Sequence, residues 1–300
     1  MRGATTTRQP VRSNRAGVVT VIPPQAFFLV SAVFHYLGPA FAVLLFAQVS
    51  VLGVAWLRIA SAAMVFAIWR RSWRFLLNQP WAQLRVLLAL GVVLGVMNTC
   101  FYLAIDRLPL GTVAAIEFLG PILLAALGVR IRRNVVALGL AVIGVWFLVD
   151  VRLEGELIGF AFAFANCALF LLYLVLGHHI AREGGNAGID RLGAAMLIAL
   201  FTVMPIGFVG AVPSFTQPWL LAAGIGVGIC SSVIPYVCDQ LAMARLPRAT
   251  FALWLALLPA FATLIGVVVL RQIPEPPELL GIAFVMLGVA IHQQESVGPN

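Results

Sequence analysis

The chain has no lysine, and only 10% of its 300 residues are charged, against about 25% in soluble domains. Too few polar side chains exist to cover a globule in water, so a soluble fold is excluded. Cysteine is also scarce. Cys100, Cys167, Cys230 and Cys238 all fall inside apolar runs, with no CxxC or His/Cys spacing. That excludes a zinc motif or a disulfide framework and leaves four small buried hydrophobes. A phosphate-cradling loop is missing as well. Gly224-x-Gly-x-Gly228 lies within an apolar run, without the strand–turn–helix setting that a nucleotide loop requires. No catalytic cluster, metal or cofactor is expected, and the chain carries no ATP-binding motif.

What the chain has in abundance is apolar length. It is 62% hydrophobic, with a mean hydropathy of +1.04. Runs of about 20 apolar residues suit membrane-spanning helices and exclude the alternating pattern of a β-barrel. Ten spans are predicted at 26–47, 50–69, 84–105, 109–129, 134–149, 157–177, 191–212, 218–243, 249–270 and 278–293. Residues 1–25 form a polar tail with four Arg, ending in Pro23-Pro24. The apolar run after it is too long for a signal-peptide core, so the tail reads as uncleaved.

The net charge of +8 does not mark a nucleic-acid binder, because the arginines follow a membrane rule. With the N-terminus inside, fifteen Arg fall in inside segments: 2, 8, 12, 15, 70, 71, 74, 85, 130, 132, 133, 182, 191, 245 and 248. Three fall outside, Arg107, Arg152 and Arg271, and Arg58 lies within a span. Basic residues in short loops set orientation, so both termini are expected in the cytoplasm.

One phrase is written twice. Residues 100–121 and 238–259 share ten identities in 22 positions at an offset of 138, including Arg107-Leu108-Pro109 and Arg245-Leu246-Pro247. A repeated phrase means a repeated unit. The first copy turns outside and the second inside, because five spans per unit is an odd number. The expected fold is therefore all-α, with two inverted five-helix repeats at 26–150 and 156–294. Inverted repeats are typical of alternating-access transporters.

The string from Gly228 to Tyr236, then Asp239, then Arg245 to Phe251, resembles the ten-helix EamA-type transporters of the drug/metabolite transporter superfamily. Among these it is most similar to the bacterial threonine/homoserine exporters, whose pattern Ala115-Ile-Glu-Phe-Leu-Gly-Pro121 also matches. The resemblance covers the chain after residue 25. It implies inner-membrane export of amino acids, with the aromatic amino acid exporters as near relatives of the same fold. It also implies that spans one, three, four, six, eight and nine surround a central cavity. One departure is clear: where those exporters carry Glu just before the proline of span nine, this chain has Leu258.

Ionisable groups at membrane depth cost roughly 2.5–3.5 kcal/mol each on insertion scales, so each needs a reason. Glu117, four residues before Pro121, is the first candidate for binding a ligand or a proton. The alternative is a glutamate paired with Arg, holding helices together. Arg58 either neutralises Glu117, snorkels outward or captures a substrate carboxylate. Asp239 is a gate or a partner of Arg245 or Arg248. The polar candidates for the cavity are His35, Tyr36, Asn98, Tyr102, Asn166, Tyr173, Ser232, Tyr236 and Trp254. Asn98 and Tyr102 share a helix face, as do Ser232 and Tyr236. His35 is also a possible proton carrier. For each of these the alternative is an interhelical hydrogen bond or packing. Pro121 and Pro259 are repeat-equivalent, so spans four and nine are expected to kink at matched points. GxxxG pairs at Gly91/Gly95 and Gly224/Gly228 permit close helix approach.

The reading that follows is an amino-acid exporter in the bacterial inner membrane, for threonine/homoserine-like or aromatic and other neutral amino acids. Its partners are those amino acids and the lipid bilayer, with protons and a monomeric state compatible with the sequence. A transporter of another small metabolite or drug with the same fold is the alternative. A membrane enzyme or scaffold is the alternative of a different class, and it requires a polar catalytic cluster or a long soluble loop.

Overall fold

The computed structural model describes residues 23–128, 131–150, 156–180, 186–243 and 257–291. Every regular element among them is helical. The first half holds α1 (Pro24–Leu45), α2 (Val51–Arg70), the short α3 (Ser72–Leu77), α4 (Trp81–Ile105), α5 (Leu110–Glu117), α6 (Leu119–Gly128) and α7 (Arg132–Asp150). The second half holds α8 (Leu157–Ile180), α9 (Asn186–Thr216), α10 (Pro218–Gly228), a π-helical turn (Ile229–Val233), α11 (Ile234–Met243), α12 (Leu258–Leu270) and α13 (Pro276–Ile291). Among the described residues six stretches are long and apolar enough to cross a membrane: Gln25–Leu45, Val51–Arg70, Trp81–Ile105, Leu157–Leu176, Gly188–Thr216 and Pro218–Asp239. At about 1.5 Å per residue, the 25 residues of α4 exceed the ~30 Å hydrocarbon thickness.

Local chemistry sets the helix ends. Pro24 begins α1, where a missing N–H costs nothing. Ser50 caps α2, its hydroxyl accepting the Gly53 N–H at 3.1 Å. Arg71 ends α2 in the left-handed region at φ 53°. Pro109 precedes α5 and has no side-chain acceptor to offer. The Gln272 amide oxygen supplies one instead, taking the Leu110 N–H at 3.1 Å.

Two expected spans are not single helices. Span four is interrupted at Phe118, between α5 and α6. The Pro121 ring clashes with the carbonyl four residues earlier, that of Glu117, so the ladder breaks one turn before the proline. Span eight is interrupted by the π-helical turn, which ends two residues before Pro235. Span seven starts at Asn186, five residues before the expected 191, and α8 continues to Ile180. Of the residues expected between spans six and seven, 178–180 and 186–190 are helical. Pro259 stands in the first turn of α12, where proline is tolerated, and the part of span nine before Leu257 lies outside the described residues. Residues 1–22 of the expected tail, and 244–256 with Trp254, Arg245 and Arg248, lie outside the described residues.

The helices pair in a regular way. α2 lies along α9, α7 along α13, and α4 between α8 and α9. α1 lies against the π-helical turn, α11 and α12, while α10 lies on α2 and α5 on α12. Small residues make these approaches close. Gly91 faces Ile198 and the Ala195 carbonyl of α9, and Gly228 faces Ser61 and the Arg58 carbonyl of α2. The outward faces are apolar: Ile68, Phe201 and Val209 are 73%, 69% and 74% exposed, as a lipid-facing surface requires. Gly38 of α1 seats the π-helical turn, since a Cβ there would stand 2.7 Å from the Ser231 nitrogen and 2.8 Å from its Cα. Backbone cannot yield as a side-chain tip does. Gly38→Val is therefore expected to cost about 1–3 kcal/mol of overpacking, read as a loss of monodisperse protein on detergent size-exclusion chromatography.

Candidate functional site

Arg58 is the centre of the candidate site. It lies in α2 and is 4% exposed, so it does not snorkel. No ion pair joins it to Glu117; neutral groups hold it instead. Nε donates to Ser232 Oγ at 3.0 Å, and Nη2 donates to the Ser231 carbonyl at 3.2 Å. The guanidinium carbon lies 5.2 Å from the Tyr102 ring centroid, within cation–π range. The sequence explains why the Ser231 carbonyl is free. In an α-helix it would accept the N–H of residue 235, and that residue is proline. π-helical turns recur at functional sites; here the turn presents the Ser231 carbonyl and the Ser232 hydroxyl to one cation. Ser231 Oγ turns back to the Val227 carbonyl at 2.5 Å.

Glu117 is the last residue of α5, at the helix break, and is 7% exposed. Asn166 of α8, 1% exposed, lies beside the Glu117 carboxyl. Its amide nevertheless meets no hydrogen-bond geometry at either atom. Arg58 stands within electrostatic reach of the same carboxylate. The fully buried Tyr36 is within reach of both Glu117 and Asp239. The His35 ring meets Tyr36 edge-on at 5.1 Å and senses Arg58.

The remaining candidates divide into two groups. Asn98 spends its amide on the Leu94 carbonyl at 2.8 Å and neighbours Tyr236. Tyr102 is fully buried on the same face. On the other side, Tyr173 stacks on Phe170 at 6.2 Å and lies near Tyr236 and Asp239. Asp239 neighbours Ser31 of α1, whose hydroxyl donates to the Pro235 carbonyl at 3.3 Å. Pro121 and Pro259 touch the site only through the helix breaks and starts they impose, and Trp254 lies outside the described residues.

The unmet polar atoms mark the site's chemistry. Tyr36 Oη, Arg58 Nη1, Tyr102 Oη and both amide atoms of Asn166 are buried with no protein partner in hydrogen-bond geometry, although Tyr102 Oη lies beside Ser231 and Arg58. Among the described residues only Trp56 Nε1 and Ser214 Oγ share that condition. A buried polar group without a partner costs roughly 1–3 kcal/mol, so these five atoms, on or beside Arg58 and Glu117, suit water or a polar ligand. The set offers donors beside a cation and an amide beside a carboxylate. No group of three His, Cys, Asp or Glu side chains fit to hold a metal occurs among the described residues. A hollow of about 330 Å³ lies away from this cluster, at the ends of α1 and α4 and the start of α5.

Known proteins match this chain. Residues 157–292 match the model of the EamA-like transporter family. The threonine/homoserine exporter RhtA of Escherichia coli (strain K12) is 32% identical over 252 residues, covering 83% of this chain and 84% of its own. The exporter of the same name from Salmonella typhimurium (strain LT2) is 31% identical over the same shares. The chain belongs to the EamA-like transporter family. As an EamA-type protein it is a multi-pass protein of the inner membrane and a transporter, not an enzyme. A solved crystal structure of a protein 19% identical superposes with a TM-score of 0.57, over 89% of this chain and 97% of that one, which places the helices in a known fold.

Sequence reasoning missed Ser31 and the role of the Ser231 carbonyl. A signal for the carbonyl is present in the sequence. His35, Glu117 and Ser231 are each followed four residues later by a proline, Pro39, Pro121 and Pro235. Each of those prolines withholds the N–H that would have satisfied the carbonyl of the residue named.

Proposed function

We propose that this EamA-like transporter exports small neutral amino acids of the threonine/homoserine class by alternating access, and that the Arg58–Glu117 cluster is its central site. The substrate carboxylate meets Arg58 Nη1 with the hydroxyls of Tyr36 and Tyr102 close by. The substrate ammonium meets Glu117 and the Asn166 amide oxygen. The five unpartnered polar atoms carry this reading, because a zwitterion supplies the missing acceptor and donor together. The identity to RhtA supports the substrate class.

The architecture we propose has ten crossings, both termini in the cytoplasm, and two inverted repeats. The helix pairings support it. Exchange each span of one half for its counterpart in the other, and α2 on α9 and α7 on α13 map onto themselves. α1 against α11 then maps onto α8 against α4, and α4 against α9 onto α10 against α2. Two halves related in this way can swap conformations and present one central site to either side. The arginine count supports the orientation.

Uptake by the purified protein in liposomes tests the function, with threonine, homoserine, aromatic amino acids, a sugar and an organic cation in competition, with and without a proton gradient. Competition by amino acids alone is the expected result, and equal competition by sugar or cation refutes it. The clamp on Arg58 gives a second test. Pro235→Ala restores an N–H that competes with Arg58 for the Ser231 carbonyl. Loss of one hydrogen bond to a charged group, about 1.5 kcal/mol, corresponds to roughly a tenfold rise in half-saturating substrate concentration. The maximal rate is expected to hold, and an unchanged half-saturation point rules out positioning by the turn.

A further inference from the structure

We propose that a second, external amino-acid site lies in the hollow between the α4–α5 turn and the α12–α13 loop, at the outer end of the path from the central cluster. This proposal rests on the central-site reading above. The hollow holds about 330 Å³, at the lower end of the roughly 300–1,000 Å³ found for small-molecule sites. Val43, Ile105 and Pro109 are part of its wall.

Three helices connect it to the cluster in register. Val43 lies seven residues beyond Tyr36 in α1, and Ile105 seven beyond Asn98 in α4. α5 begins at Leu110, beside Pro109 and seven residues before Glu117. Residues seven apart share a helix face, and seven residues advance about 10 Å. One face of each helix thus runs from cluster to hollow in about two turns. On the orientation argued above, this end faces outside, since Arg107 and Arg271 flank it.

The lining matches a zwitterion. Asp106 and Glu278 are acidic, Arg107 is basic and Gln272 is neutral and polar. A ligand of one sign meets a like charge somewhere on this wall, whereas an ammonium and a carboxylate carried on one carbon satisfy both signs. The frame is fixed by backbone bonds. Glu278 Oε2 accepts the Glu275 N–H at 2.9 Å, Gln272 Oε1 accepts the Leu110 N–H, and the Gln272 N–H donates to the Gly266 carbonyl at 3.0 Å. Arg271, at φ 57°, makes the reversal that brings this loop back over α5. Asp106 and Arg107 are exposed while Glu278 is 1% exposed, so the site opens to solvent on one side. Such a site holds the amino acid weakly after release from the centre and admits external amino acid to oppose further export.

Ile273 lines the hollow and is 79% exposed, so Ile273→Cys reports on it without disturbing the core. Intact cells with a permeabilised outer membrane are treated with a membrane-impermeant maleimide, using the chain with its four native cysteines as background. External threonine or homoserine is expected to slow labelling of I273C, and to do so still in an R58Q background. Adding Arg107→Gln is expected to raise the concentration needed for protection about tenfold, the loss of one charge-assisted hydrogen bond. Labelling unaffected by either amino acid, or protection that disappears with R58Q, overturns the second site and leaves the central one standing. Labelling only after the inner membrane is opened overturns the external placement. Loss of the central-site reading shows separately, as uptake indifferent to R58Q.

Discussion

Arg58→Gln is expected to lower threonine and homoserine uptake by about 100-fold or more, with folded protein still recovered. Truncating one partner of a buried, hydrogen-bonded charge pair costs roughly 2–5 kcal/mol, which brackets that factor. Glutamine keeps a donor towards Ser232 and the Ser231 carbonyl but removes the positive charge and the Nη1 that points to no protein acceptor. The discriminating measurement is competition. An amine that lacks the carboxylate should compete with similar strength in wild type and variant, because its ammonium is read by Glu117. Threonine should lose its advantage over that amine in the variant. If Arg58 were only a helix-packing cation, both ligands would weaken together, or neither would.

How far the sequence reveals this site depends on the scale asked of it. The apolar runs place the helices within a few residues because lipid demands continuous apolar length. The two interruptions are subtler. Pro121 and Pro235 are visible in the sequence, but proline bends a helix in several ways, and only packing decides which. At Pro121 the chain breaks at Phe118. At Pro235 it widens into a π-helical turn, because Gly38 and Gly228 allow α1 and α2 to close on both sides of residues 229–233.

Partners were harder to read than positions. A buried Arg and a buried Glu in one chain invite a salt bridge on paper. Arg58 instead faces α10 and the π-helical turn, since α2 pairs with α9 and α10, whereas Glu117 faces α8 across the site. Helix pairing is a long-range property that composition does not carry. Ser31 escaped notice because a serine in an apolar helix ordinarily bonds its own backbone. Its link to the Pro235 carbonyl crosses 204 residues of chain.

Glu117→Gln is the complementary experiment, and the same geometry gives its expected size. Glutamine matches glutamate in shape and still offers Asn166 an acceptor, so packing at the α5–α6 break is preserved. The negative charge is lost, and with it the attraction for an ammonium where water is excluded. Threonine uptake is expected to fall about 100-fold, within the same range for a buried charge contact. Competition by a hydroxy acid that lacks the amino group should be retained, since Arg58 still reads its carboxylate. Removing Glu117 also takes from Arg58 the negative charge within its electrostatic reach, which destabilises the fold. The double variant Arg58→Gln, Glu117→Gln separates the two effects. If the Glu117→Gln loss is one of folding alone, uptake per folded molecule should be unchanged in the single variant, and the double variant should recover folded yield and match Arg58→Gln in uptake. If the two residues are the poles of the site, it should recover folded yield and remain inactive. A proton role for Glu117 has its own signature: uptake across a pH series flattens in Glu117→Gln, and an unchanged profile removes that role while leaving ammonium binding intact.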